Sequence, residues 1–284
     1  MKVISLLILS ALFMGAGPAG GGLSEKEEIR KTLPFPEGEA SDRVVVDNIS
    51  GSIAVAGYDG KDVELVVHRT SHGTTVEKLK ECREKIGLDV REEPGTIILY
   101  VRTPWRCGDG SVSYRLREDY GFDADFDFEL RVPFRTDVLL KTVNKGAISV
   151  SNVSGAFQVN NVNGRIDMAG ITGSGQVSTV NGNVGVRFSR NPESGCGFRT
   201  VNGSIDFEVP DELSADLRLK TFNGEVFSDF DVTGLPRPAP APERIGRRTV
   251  YRGNEFFSVR AGRGGPELVF ETLNGDIRIL RNHN

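Results

Sequence analysis

Asp123, Asp125, Asp127 and Glu129 alternate with Ala124, Phe126 and Phe128. On an extended strand the four acids share one face, about 7 Å apart. Two chemistries suit such a row. Hard oxygen ligands can gather a Ca²⁺ ion. Alternatively, a neighbouring strand carrying Arg115 and Arg117 at the same spacing can neutralise the row through cross-strand ion pairs. The structural reading is preferred, because no glycine sits where an EF-hand loop requires one. Metal ligation by these four acids is the weaker candidate, and no cofactor is expected.

His68 and His72 lie four residues apart, but on a segment that reads as strand running into loop, with no Glu between them to act as a base. They are read as surface residues. The third histidine, His283, is at the tail, and no Gly-x-Ser-x-Gly elbow occurs. Nucleophilic triad chemistry is therefore unsupported, and no catalytic residue is expected.

Binding chemistry is better supplied. Trp105, Tyr114, Tyr120 and Tyr251 are the aromatics that could stack on sugar rings, and Trp105, between Pro104 and Arg106, is the most loop-like. The preferred reading packs them into the core or a lobe. Arg244, Arg247, Arg248 and Arg252 could meet anionic lipid or polysaccharide, or form a plain solvated loop. Trp105 and these four arginines are the candidate binding residues.

The elements that would carry these residues follow from a repeat. Val162-Asn163-Gly164-Arg165-Ile166-Asp167-Met168 recurs at Val180–Val186, Val201–Phe207, Phe222–Val226 and Leu273–Ile279, with an early copy at Ile49–Val55. Glycines 155, 164, 173 and 182 are nine residues apart, and spacing then widens to 21 for Gly182, Gly203 and Gly224. Self-similarity of this kind marks a stacked architecture. Relative to each Gly, positions −2, +2 and +4 are mostly apolar (Gly175 departs) and share one face of an extended chain. This predicts that Val153, Val162, Val180, Val201 and Phe222 point inward. It also predicts a corner at each Gly, whose freedom at φ > 0 would allow the bend. Stacking would set Asn163, Asn181, Asn202 and Asn223 in a side-chain ladder. The expected fold is all-β: a parallel β-helix or β-solenoid stack of short strands, with one short helix in an N-terminal lobe. Asn-Gly is also a hairpin signal, so an antiparallel meander or sandwich is the alternative.

Residues 1–19 read as a signal peptide: Lys2, an apolar run from Val3 to Met14, then small residues with cleavage after Ala19. No later run is apolar enough to span a bilayer. Residues 20–141 read as a β lobe holding the first repeat and the helix. The helix is expected around Val76, Leu79, Cys82 and Ile86, with Thr74 and Glu77 at capping-box spacing. Residues 142–284 carry the solenoid repeats, interrupted at 233–258 by the Pro-rich, Arg-bearing loop and closed at 273–279 by a polar cap. Residues 20–284 can equally form one continuous domain. A net charge of −4 argues against nucleic acid as partner. Three cysteines are an odd number for an oxidising compartment. A Cys82–Cys107 bridge stands beside the reading of Cys82 as a small buried hydrophobe.

The turns Thr179-Val-Asn-Gly, Thr200-Val-Asn-Gly, Thr221-Phe-Asn-Gly and Thr272-Leu-Asn-Gly, with Arg131-Val132-Pro133 before the repeats, resemble the DUF4097 family of adhesin-like bacterial envelope proteins. Lys145, where the repeat usually has Gly, departs from the pattern. The resemblance implies an exported, periplasmic or cell-surface protein and brings no catalytic residues. The expected role is a non-enzymatic envelope protein binding surface material or polysaccharide, without a transmembrane anchor. A carbohydrate-active β-helix enzyme and an accessory factor in envelope-stress sensing are the alternatives.

Overall fold

The computed structural model describes residues 7–11, 22–38, 41–107, 113, 120–210, 212–236, 242–245, 248–251 and 256–282. The chain divides into two compact units, Met1–Gly164 and Arg165–Asn284. Arg115, Arg117, Tyr114, Arg247, Arg252, His283 and the leader's cleavage region lie outside the described residues.

The first unit holds β1 (Leu7–Ala11), β2 (Leu23–Pro34), β3 (Arg43–Asp47), β4 (Ile53–Tyr58), β5 (Asp62–Gly73), α1 (Val76–Lys85), β6 (Gly87–Glu93), β7 (Thr96–Arg102), β8 (Phe122–Pro133), β9 (Asp137–Lys141), β10 (Ile148–Ser151) and β11 (Phe157–Asn160). Its strands run β1-β2-β5-β8-β4-β10 in one sheet and β11-β9-β3-β7-β6 in the other. Alternation decides which side faces in: Val44, Val46, Ile53, Val55, Leu65, Val67, Phe126, Phe128, Leu130 and Leu140 are buried. The early repeat is a full layer of the stack, since β4 pairs in parallel with β10 and β3 with β9. The helix is capped by Thr75, whose side chain accepts a hydrogen bond from the Lys78 amide, rather than by Thr74.

The second unit holds β12 (Ile166–Ile171), β13 (Gly175–Ser178), β14 (Val184–Phe188), β15 (Cys196–Arg199), β16 (Ile205–Val209), β17 (Ala215–Lys220), β18 (Val226–Ser228), β19 (Val232–Gly234), β20 (Pro242–Ile245), β21 (Arg248–Tyr251), β22 (Phe257–Ala261), β23 (Glu267–Glu271) and β24 (Ile277–Arg281). Successive repeats pair in parallel, β12 with β14 and β14 with β16, so the Asn-Gly corners are not hairpin turns. Phe188, Phe198, Phe207 and Phe270 interlock in the core with ring centroids 5.2–5.4 Å apart.

Two expectations are corrected at the corners. Val153 is buried, but Val180 (38 % exposed), Val201 and Phe222 (76 % exposed) face solvent, and Val162 is half-buried. The bend occupies positions −2 to 0, so parity counted through the Gly does not carry an inward face across it. The residue that points in is the Thr at −3, or at −4 for Thr142, where Lys145 adds a residue before Gly146. Thr142, Thr200, Thr221 and Thr272 donate their hydroxyls to the carbonyls of Gly51, Gly182, Gly275 and Gly203 on adjacent layers, at 2.8–2.9 Å. The glycines themselves serve close approach. A Cβ on Gly203 would sit 2.1 Å from the Gly182 oxygen, and one on Gly224 would sit 1.9 Å from the Gly275 oxygen. Among the described corner glycines, Gly51 and Gly275 alone take a positive φ, +112° and +150°.

The third correction concerns the end of the chain. The last repeat is an inner layer: β24 lies between β16 and β18, and β23 between β15 and β17. The Asn ladder records the same order. Asn202 donates to Asn181, Asn274 to Asn202 and Asn223 to Asn274, at 2.7–2.8 Å.

Candidate functional site

The outer face of the first unit's β2-β5-β8-β4-β10 sheet carries the acids that the sequence singled out. The register builds the face in rows. Thr32, Glu64, Arg131, Ala56 and Ser151 lie opposite one another along one row, and Arg30, Val66, Glu129, Ala54 and Ser149 along the next. A third runs from Glu28 through His68 to Asp127.

β8 is flanked by β5 and β4. The acidic row is held by hydroxyls, histidines and a lysine. Asp125 accepts from Ser50 Oγ at 2.6 Å and Lys145 Nζ at 3.2 Å, and meets His72 Nε2 at 3.3 Å. Asp127 accepts from the Ser52 amide at 2.8 Å and its hydroxyl at 2.7 Å. His68 stands between Glu28 (3.7 Å) and Glu129 (3.6 Å). Burial pushes the Asp125 carboxyl up, but the His72 and Ser50 hydrogen bonds and the Lys145 ammonium outweigh it and hold the pKa well below the usual carboxylate range. Lys145 is the residue that sequence reasoning undervalued. It is an extra residue before Gly146, which takes the stacking position against Gly51, and its φ of +58° turns its ammonium onto the acids. Its departure from the repeat was the available signal.

Asp125 and Asp127 thus serve as internal acceptors that tie β8 to the early repeat. Among the described residues no group of three or more His, Cys, Asp or Glu side chains is arranged to hold a metal ion.

Beside the row the face sinks into an open groove of about 450 Å³. Its floor is cut by small side chains, Ala54, Ala56, Ser149 and Ser151, and its walls are Arg30, Glu64, Glu129 and Arg131. Arg131 reaches Glu64 at 2.8 Å and lies over the Tyr58 ring at 4.5 Å, while Arg30 bonds Glu28. The Glu28 carboxyl is lowered chiefly by that Arg30 hydrogen bond. Donors and acceptors of both signs line a shallow trough whose volume falls within the range of small-ligand sites. No signal in the repeat pattern marked it, since it arises from four small residues on two strands that are distant in sequence.

The other expected binding residues are not brought to this face. Trp105 is 1 % exposed and packs against Tyr120 and Phe122, with ring centroids 5.6 and 5.9 Å away, so it belongs to the core and cannot stack on a sugar. Arg244 and Arg248 fall on the β20–β21 hairpin, a paired element where the sequence suggested an extended loop. Cys82, Cys107 and Cys196 are all free, Cys107 exposed and the other two buried, which overturns the Cys82–Cys107 bridge.

No protein-family model and no curated protein matches the chain. Among solved structures it is similar to one from Clostridium sporogenes described as a "putative cell adhesion protein", at 12 % identity, with a TM-score of 0.42, over 91 % of this chain and all of that one. At that identity and score the likeness carries no inference about function. Among the described residues no helix is long and apolar enough to cross a membrane.

Proposed function

We propose that this protein is a non-enzymatic, exported, adhesin-like scaffold that binds polysaccharide or other hydroxyl-rich envelope or cell-surface material on the polar face of its first unit. The observation that supports this reading most is the groove: a trough floored by Ala54, Ala56, Ser149 and Ser151 between two arginines and two glutamates. Such a surface offers many weak hydrogen bonds along an extended ligand. Repeated contacts of that kind gain avidity without a deep pocket. The Thr-x-Asn-Gly turns, which resemble those of the DUF4097 family, and the leader agree with a role outside the cytoplasm. The Arg244–Arg252 segment is a second, salt-sensitive contact.

The test is a glycan-array and envelope-fraction binding screen, repeated with Ser149→Trp, which fills the groove from an exposed strand position. Binding should fall about tenfold or more, the equivalent of about 1.4 kcal/mol. Deletion of residues 235–252 should add a loss that raised salt reproduces. Unchanged binding by Ser149→Trp would move the surface elsewhere, and release of reducing or unsaturated sugar ends would make the protein an enzyme.

A further inference from the structure

Twelve-residue β2 pairs antiparallel with β5 along its whole length, from Leu23 opposite Gly73 to Pro34 opposite Asp62. Among the described residues its other side is covered by β1 alone, with Leu7–Ala11 opposite Lys26–Arg30. β1 belongs to the leader, so on the exported reading above, cleavage after Ala19 turns β2 into an outer edge. An uncovered edge of this length is a template for another strand.

The edge reads Glu27-Glu28-Ile29-Arg30-Lys31. Reversed about Ile29, its acids fall on its bases. We propose that in the processed protein β2 pairs with β2 of a second copy, antiparallel and two-fold about Ile29. Glu27 then lies opposite Lys31 and Glu28 opposite Arg30, each pair twice, with Ile29 against itself. Residues alternate across a strand, so Glu28 and Arg30 form pairs on the outer face while Glu27 and Lys31 do so on the other. Other registers are poorer. A one-residue slip keeps Glu27 with Arg30 but sets Lys26 against Lys31, and a two-residue slip in the same sense keeps Glu25 with Lys31 but sets Lys26 against Arg30 and Glu28 against Glu28. A one-residue slip the other way keeps only Glu28 with Lys31. The charges that would keep an arbitrary strand away therefore select this chain in one alignment. Within one copy Arg30 folds back on Glu28 along the strand at 2.5 Å, and Glu27 meets Arg69 at 3.5 Å. A second copy offers Glu27 and Glu28 a base directly opposite, while Glu25 faces Leu33. Arg30 also lines the groove, so pairing sets two grooves side by side on one continuous sheet face.

The experiment uses the protein exported and purified from its host, its N-terminus fixed by mass spectrometry and its mass in solution measured by light scattering and sedimentation. The expected result is a processed dimer. Glu27→Lys/Glu28→Arg makes the edge wholly basic and Arg30→Glu/Lys31→Glu makes it wholly acidic. Each should be a folded monomer alone, and mixing them should give a one-to-one heterodimer. As a test that leaves the charges intact, Ile29→Cys should cross-link between copies on mild oxidation, above the background that exposed Cys107 sets in the wild type. Glu25→Cys, which would face Leu33 of the other copy, should not. An unprocessed N-terminus would overturn the leader reading on which the proposal rests. A processed monomer, a dimer that survives both charge variants, or cross-linking no better at 29 than at 25 would overturn the proposal itself.

Discussion

Replacing Thr272 separates two explanations of the corner, hydroxyl tether against apolar fill. Thr272 is 2 % exposed, and its Oγ1 donates at 2.9 Å to the carbonyl of Gly203 one layer away. Thr272→Val keeps shape and volume but removes the donor. A buried acceptor left without its partner costs about 1–3 kcal/mol, and because Gly203 is half-buried the lower part of that range applies, about 1–2 kcal/mol. Thr272→Ser keeps the hydroxyl and loses one methyl group, about 0.8 kcal/mol or less. At about 2–4 °C per kcal/mol for a chain of this size, Val should lower Tm by roughly 2–8 °C and Ser by roughly 3 °C or less. The assay is thermal unfolding by circular dichroism with both variants at equal concentration. If Thr272→Val melts at or above Thr272→Ser, the inward Thr is filler and the hydroxyl argument is wrong.

Phe207, in ring contact with Phe188, Phe198 and Phe270, should lose about 3–5 kcal/mol on truncation to Ala. Phe222→Ala, at an exposed corner, should stay within about 0.5 kcal/mol of wild type in the same denaturant titration. Asp125 has a folded-state pKa below its unfolded value, so its contribution to stability is present above about pH 4 and is lost as pH falls from there through the folded value. Asp125→Asn should therefore be less stable than wild type at pH 7, with a gap that narrows below about pH 4 in acid-unfolding curves. Micromolar to millimolar Ca²⁺ should leave Tm unchanged, and a rise lost in Asp125→Asn/Asp127→Asn would restore the metal reading of the acidic row.

Much of the architecture is legible in the residues. The spacing of Asn and Gly announces parallel layers, and Arg43–Asp47, Thr96–Arg102 and the β6–β7 hairpin are plain from alternation and the Pro94-Gly95 turn. The inward face of the corners is not, because period-2 counting assumes an extended chain and the bend breaks it. Val180 and Phe222 therefore lie outside while Thr200 and Thr272 lie inside. The site was half visible. Asp125 and Asp127 stand out as a row, yet their partners Ser50, Ser52, His72 and Lys145 come from segments that only the sheet pairing brings together. Pro and Arg neighbours give Trp105 a loop-like look, but Tyr120 and Phe122 bury it, as the core reading expects.

The placement of the last repeat also sets a timetable. Val226 of β18 must wait for Ile277 of β24, and Leu217 of β17 for Leu268 of β23, each 51 positions further along the chain. As the polypeptide emerges in order, the layers of β15–β16 and β17–β18 are made before the layer that separates them exists. They cannot dock on each other without occupying its place. Completion demands closure of a loop of about fifty residues, a non-local step that is paid in entropy before any contact returns it and that slows folding. A chain stopped before Glu267 would lack an interior layer rather than an end, and its two flanking layers would present unpaired strand edges to each other and to neighbouring molecules.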